Sequence, residues 1–227
     1  VARTLLITGA SSGIGAATAR AAVAAGWDVA LAARRVEPLE ALCAELGAER
    51  SIAVATDVTD FDAVEQLVAA AVDRFGAVDA VFANAGFGAR RGFTEETVEH
   101  WRSMVLTNVL GTALTIRAAL PQILERRGHF VLTGSVAGTR ALPGSLYSST
   151  KFAVHGMAES LRLELDGSGA RVTLIAPGMV DTPFFDAGAP DWALHDGDVA
   201  SAVLFALEQP ERVDLNMLLL RPTAQAN

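Results

Sequence analysis

Short aliphatic and β-branched runs alternate along the chain with longer stretches rich in Ala, Leu and Glu. The short runs lack polar alternation. Leu5-Leu6-Ile7, Val29 to Ala33 and Val172 to Ala176 are nearly continuous, as strands buried on both faces must be. This pattern predicts strands at Thr4–Thr8, Asp28–Ala33, Ser51–Thr56, Ala80–Ala83, His129–Thr133, Arg171–Ala176 and Leu215–Leu220. Helices are predicted at Gly13–Ala25, Pro38–Leu46, Asp60–Phe75, Thr94–Arg127 with a break around Gly111, Leu146–Leu165 and Asp198–Leu207. Asp60 suits a helix cap and Pro38 a first helical turn. Strands and helices in alternation give an α/β class built of βαβ units around a parallel sheet. The sequence shows no internal repeat, low-complexity tract or linker, so residues 1–227 are expected to form a single domain. The stretch 178–197, rich in Gly, Pro and Asp, is expected to be a loop over a substrate site.

Directly after the first predicted strand comes Gly9-Ala10-Ser11-Ser12-Gly13-Ile14-Gly15, then a helical Ala-rich run. Glycines at such a turn let backbone approach a pyrophosphate closely, and the helix beginning there aims N–H groups at it. The same residues also fit an ordinary Gly-rich connection. The second strand ends in Ala32-Ala33-Arg34-Arg35, where dinucleotide-binding folds place the group that meets the adenosine ribose. A carboxylate there would repel a 2′-phosphate, whereas arginine grips it with forked, charge-assisted hydrogen bonds. NADP(H) is therefore expected over NAD(H). The competing reading is a solvated Arg pair partly neutralised by Glu37.

Tyr147 is the only tyrosine, and Lys151 the only lysine among 18 basic residues. Four residues apart on a helix, the two side chains share a face. A nearby ammonium stabilises a phenolate and is expected to bring the phenol down from its usual pKa of about 10, fitting Tyr147 for acid/base work. The bland alternative is a packed aromatic beside a surface lysine. Ser135 and Asn84, with Ala85 and Gly86 after it, follow predicted strands and are expected near the Gly9 turn. Either residue fits a simple turn or cap equally well.

Composition narrows the possibilities. Hydrophobic residues make up 51% of the 227, which excludes disorder. A net charge of −8 with no basic stripe argues against nucleic acid. The single cysteine, Cys43, allows neither an intrachain disulfide nor a thiol metal cluster. His100, His129, His155 and His195 are scattered without ligand spacing, so no metal is expected. No run reaches the about 18 uninterrupted apolar residues of a membrane span. A cytoplasmic protein with a small-molecule partner and no membrane partner is the expectation.

With the Gly9–Gly15 turn, Asn84-Ala85-Gly86, Ser135, Tyr147-x-x-x-Lys151 and Pro177-Gly178 all in order, the chain resembles the short-chain dehydrogenase/reductases over nearly its full length. The resemblance implies a three-layer, Rossmann-like doubly wound fold with a seven-stranded parallel sheet. It implies a carbonyl/alcohol oxidoreductase using a nicotinamide cofactor, with Tyr147 as acid/base. Lys151 would tune Tyr147 and bind the nicotinamide ribose, Ser135 would polarise the substrate oxygen, and Asn108 would hold a water in the proton relay. Asp57-Val58 match the pair that meets adenine, and Val180 and Thr182 match positions that anchor the carboxamide. Some NADP-binding members carry a basic residue inside the glycine turn, where this chain has Ser12. The family also implies a homodimer or homotetramer built on the helix of the Tyr–Lys pair, whose Phe152, Val154 and Met157 are apolar. A non-catalytic dinucleotide sensor is the alternative. Phe87, Leu142, Phe184, Phe185 and Trp192 are candidate walls of an apolar pocket, Arg90 or Arg91 candidate attractors of an acid. A ketone, aldehyde or hydroxy acid is the expected substrate.

Overall fold

The computed structural model describes residues 2–184 and 188–225. Strands β1 (Thr4–Thr8), β2 (Asp28–Ala33), β3 (Ser51–Ala55), β4 (Ala80–Ala83), β5 (His129–Thr133), β6 (Arg171–Pro177) and β9 (Met217–Leu220) form one sheet in the order β3-β2-β1-β4-β5-β6-β9. Every pairing in it is parallel. The seven-stranded sheet expected from the sequence is present, its last strand beginning two residues later than predicted.

Side chains of a strand alternate between faces, and here both faces are apolar. Leu6, Val81, Phe130, Leu132 and Leu174 point to α3 (Phe61–Phe75), α5 (Thr112–Arg126) and α6 (Leu146–Glu164). Leu5, Ile7, Val29, Phe82, Val131 and Ile175 point to α1 (Gly13–Ala24), α2 (Glu37–Leu46) and α7 (Asp196–Leu207). The result is the expected three-layer doubly wound α/β arrangement. Two helices start as their sequences suggest: Asp60 accepts hydrogen bonds from the N–H groups of Asp62 and Ala63, and Pro38 sits in the first turn of α2. Val154 is buried in the core and Met157 packs against it, so of the three apolar residues read as an interface on α6 only Phe152 is exposed.

The predicted helix from Thr94 begins later, as α4 (Val98–Val105), because Thr97 caps it by accepting from the His100 N–H. It does not break at Gly111. A π-helical segment, Leu106–Gly111, carries it into α5. Gly111 is needed for close packing, since a Cβ there would lie 2.6 Å from the Val58 side chain. By length and composition alone the run Val98–Arg126 is long and apolar enough to cross a membrane. One side of it is buried: Ile116, Ala119 and Ile123 pack into the core under the sheet, and Met104 is fully buried. The stretch expected to be irregular holds a short parallel ladder, β7 (Val180–Asp181) with β8 (Leu194–His195).

The chain runs outward from β1 to β3, then crosses to β4 on the other side of β1. Ligands of open α/β sheets bind at such a reversal, beyond the carboxyl ends of the strands.

Candidate active site

Each strand end delivers one part of a cleft of about 1000 Å³. After β1, Gly9 takes φ +67°, a left-handed conformation that favours glycine, and a Cβ on it would lie 2.8 Å from Ala85 Cα. A Cβ on Gly15 would overlap the Gly9 carbonyl oxygen. The turn is therefore drawn tightly onto the start of α1, leaving Gly9, Ser11, Ser12, Gly13 and Ile14 along the cleft wall. Gly15 lies behind it and acts through packing.

Asn84 staples strand ends together. Its Nδ2 donates to the carbonyls of Thr8 and Gly9 at 3.2 and 3.3 Å, and its Oδ1 accepts from Thr133 Oγ1 at 3.1 Å. Thr8 Oγ1 in turn accepts from the N–H groups of Asn84 and Ala85. Asn84, Ala85 and Gly86 line the cleft as expected, although the Asn84 side chain is engaged with protein rather than facing open space. Arg34 and Arg35, exposed after β2, also line it, and among the described residues neither forms an ion pair, with Glu37 or otherwise. Asp57 and Val58 complete that end. Asp57 Oδ1 accepts from the Thr59 N–H and hydroxyl at 2.9 and 2.8 Å, while Val58 is buried against Gly111.

At the other end stand Ser135, Tyr147 and Lys151. Ser145 caps α6 by accepting from the Ser148 N–H, which fixes where Tyr147 enters the helix. Tyr147 and Ser135 side chains are hydrogen-bonded. Ser135 is itself held by the Ala137 N–H at 3.1 Å. Lys151, 5% exposed, donates from Nζ to the Thr133 carbonyl at 2.8 Å, and Nζ lies 5.7 Å from the Tyr147 ring centre. Tyr147, Lys151 and the glycine turn thus face one cleft.

The acidity differs from expectation. Burial pushes Tyr147 up to about 12, opposed only by the Ser135 hydrogen bond, and burial brings Lys151 down to about 8. The ammonium does not lead the phenol toward neutrality here, because loss of solvation governs the Tyr147 hydroxyl.

Asn108 is buried and does not line the cleft. Its Oδ1 accepts from the Phe87 N–H at 3.0 Å, and its Nδ2 donates to the Phe87 carbonyl and Thr150 Oγ1 at 2.9 and 3.1 Å. A Cβ on Gly86 would lie 3.0 Å from Asn108 Oδ1 and 3.8 Å from Lys151 Nζ, so both side chains border the space that the absent Gly86 side chain leaves. Pro177, Gly178, Val180 and Thr182 line the cleft after β6, and Thr182 packs on Gly13, whose Cβ would lie 2.9 Å from its methyl group.

Of the candidate pocket walls, Phe87, Leu142 and Phe184 line the cleft, and Phe184 meets Tyr147 edge-on at 5.5 Å. Trp192 does not line it, and Phe185 lies outside the described residues. Arg91 lines it and Arg90 does not. Sequence reasoning missed Thr8, Thr133, Thr150 and Gln225. The threonines act through strand and helix positions that carry no motif, and Gln225 comes from the far end of the chain.

The residues present fit a nicotinamide dinucleotide phosphate. The tight glycine turn leaves a backbone cradle. Among the described lining residues Arg34, Arg35, Arg91, Arg140 and Lys151 face only one carboxylate, Asp57, in a chain of net charge −8. Such a cleft concentrates anions.

The short chain dehydrogenase family model matches residues 3–191. The chain belongs to the short-chain dehydrogenase family. It is an oxidoreductase of the class that acts on CH–OH groups with NAD(P). An uncharacterised oxidoreductase of Staphylococcus aureus strain MW2 is 39% identical over 221 residues, 96% of each chain. Among solved structures, the alcohol dehydrogenase of the archaeon Thermococcus sibiricus complexed with 5-hydroxy-NADP superposes with TM-score 0.92. It is 33% identical, and the match covers 100% of this chain and 99% of that one. The 3-ketoacyl-(acyl-carrier-protein) reductase of Brucella melitensis complexed with NADH gives TM-score 0.88 at 28% identity, covering 97% of each chain. This short-chain dehydrogenase thus has structural relatives holding either form of the cofactor.

Proposed function

We propose that this short-chain dehydrogenase interconverts a ketone or aldehyde and an alcohol, preferring NADP(H), with Tyr147 as acid/base. The observation that carries this reading is the hydrogen-bonded Tyr147–Ser135 pair beside Lys151, opening into the same cleft as the Gly9 turn. Gly9, Ser11, Ser12, Gly13 and Ile14 would cradle the pyrophosphate, with Gly15 holding the turn from behind. Arg34 and Arg35 would grip a 2′-phosphate, Asp57 and Val58 the adenine, and Asn84, Ala85 and Gly86 the cofactor's middle. Pro177, Gly178, Val180 and Thr182 would meet the carboxamide, and Lys151 the nicotinamide ribose. When bound, the cofactor supplies or accepts the hydride.

The protein's own part is proton handling and alignment. The Ser135 hydroxyl holds the substrate oxygen, and the Tyr147 O–H, protonated at neutral pH, donates to that oxygen during reduction; oxidation runs in reverse. Asn108 and Lys151 would resupply the proton through water. Residues 1–227 form one cofactor-binding domain in this reading, with 178–197 as substrate loop. The protein would act in the cytoplasm as a homodimer or homotetramer using the outer face of α6, where Phe152 is 43% exposed.

A carbonyl and alcohol panel followed by nicotinamide absorbance tests the proposal. Wild type is expected to turn over with NADPH, and Tyr147→Phe to lose turnover while keeping cofactor affinity. Near-normal turnover in that variant would overturn the mechanism.

A further inference from the structure

The last strand, β9, runs beside β6 in register from Leu174↔Met217 to Pro177↔Leu220, so both chains leave the sheet at the same end. The Gly178 N–H donates to the Leu220 carbonyl at 2.7 Å. Pro222 is buried, and a turn closed by the Gln225 N–H on the Pro222 carbonyl at 3.0 Å brings the tail back over the cleft. There Gln225 Oε1 accepts from the Met179 N–H at 3.0 Å, and Gln225 lines the cleft. A Cβ on Gly178 would overlap this Oε1 and lie 3.1 Å from Gln225 Cδ. The requirement for glycine at 178 thus comes from the C-terminal tail, a segment 47 positions away in sequence by the difference of the two residue numbers. The Met179 amide sits between Gly178 and Val180, in the segment that the proposed function assigns to the nicotinamide carboxamide. An untethered amide there would leave that turn free to move.

We propose that Gln225 is a positioning residue of this oxidoreductase: through Oε1 it clamps the Met179 N–H and holds the Pro177–Val180 segment in shape for the cofactor. The inference rests on the functional reading above, yet its geometry is testable without turnover. The test uses the full chain with two substitutions, Gln225→Met, of similar length but without the oxygen acceptor, and Gln225→Glu, which keeps one.

In the cofactor-free protein, hydrogen exchange at the Met179 amide is expected to quicken in Gln225→Met and stay as in wild type in Gln225→Glu. In fluorescence titrations, Gln225→Met is expected to weaken NADPH binding about tenfold, the equivalent of one net hydrogen bond, with KM for NADPH rising in step. Gln225→Glu is expected within about threefold of wild type. Unchanged Met179 exchange or unchanged NADPH affinity in Gln225→Met overturns the proposal, as does a Gln225→Glu variant as impaired as Gln225→Met. Gly178→Ala supplies an independent check, because its methyl group must displace Gln225. Its effect on NADPH affinity should shrink in the Gln225→Met background by less-than-additive coupling, and strict additivity overturns the proposal. A wild-type protein that binds no nicotinamide cofactor at all would instead overturn the functional reading and leave the Met179 exchange result to stand alone.

Discussion

Removing the Asn108 carboxamide should damage both stability and the site. The side chain is 1% exposed and makes three hydrogen bonds, two of them to the backbone of Phe87 and one to Thr150 Oγ1. Asn108→Ala deletes all three and leaves the Phe87 N–H and carbonyl without their partner. At about 0.5–1.5 kcal/mol net per bond, the expected loss is about 2–4 kcal/mol. For a chain of this size that corresponds to a fall in Tm of roughly 5–15 °C in thermal unfolding followed by circular dichroism. Activity should fall further than stability alone requires. Phe87 directly follows Gly86, and both Asn108 Oδ1 and Lys151 Nζ approach the position a Gly86 Cβ would take, so release of Phe87 loosens the wall beside the ammonium. Turnover measured well below the variant's Tm is expected to drop by on the order of tenfold or more, since small displacements of aligning groups are costly. An Asn108→Ala protein melting within about 1 °C of wild type would show that these bonds do not hold the β4–α4 connection, and the reasoning would fail.

Lys151 should make stability rise with alkaline pH. Its ordinary pKa of 10.5 falls to about 8 in the folded protein, so between these values the unfolded chain holds a proton that the folded one has shed. The sign follows: stability increases from pH 8 upward, and Tyr147, raised from 10.0 to about 12, works in the opposite direction only above pH 10. The Tm of wild type minus that of Lys151→Met is therefore expected to grow between pH 8 and 10; a flat difference would show that the ammonium is not desolvated. Replacing Arg34 and Arg35 by Ser is expected to raise KM for NADPH by about tenfold to a hundredfold, from loss of charge-assisted bonds, while KM for NADH changes by less than about threefold. Equal weakening of both cofactors would remove the assignment of these residues to a 2′-phosphate.

Much of the fold was legible because it depends on local patterns. Buried parallel strands leave continuous apolar runs, and Asp60 and Pro38 mark helix starts by chemistry confined to one turn. The residues that a strand end presents were legible for the same reason, and Ser135, Tyr147, Lys151 and the Gly9 turn meet in one cleft. Features fixed by distant neighbours were not. Nothing near Gly111 announces that Val58 presses on it, so a packing glycine looked like a helix break. Asn108 came only from family resemblance, since its partners, Phe87 and Thr150, are set by tertiary structure. Gln225 was invisible because only the pairing of β9 with β6 brings the tail to the cleft.

The acidity of Tyr147 shows the same division between neighbourhood and environment. Spacing along α6 correctly places an ammonium on the phenol's face of the helix, but it says nothing about how much water either group retains. In the folded protein burial acts on both groups at once, disfavouring phenolate and ammonium alike, and moves their pKa values to about 12 and about 8. Near neutrality the phenol keeps its proton and the amine is mostly charged. In the proposed reaction that pairing is suited to giving a proton to a carbonyl oxygen that Ser135 would hold. Under the proposed function, alcohol oxidation by the same residues would require the phenol to be deprotonated, so oxidation is expected to gain on reduction as pH rises, which initial rates in both directions across pH would check.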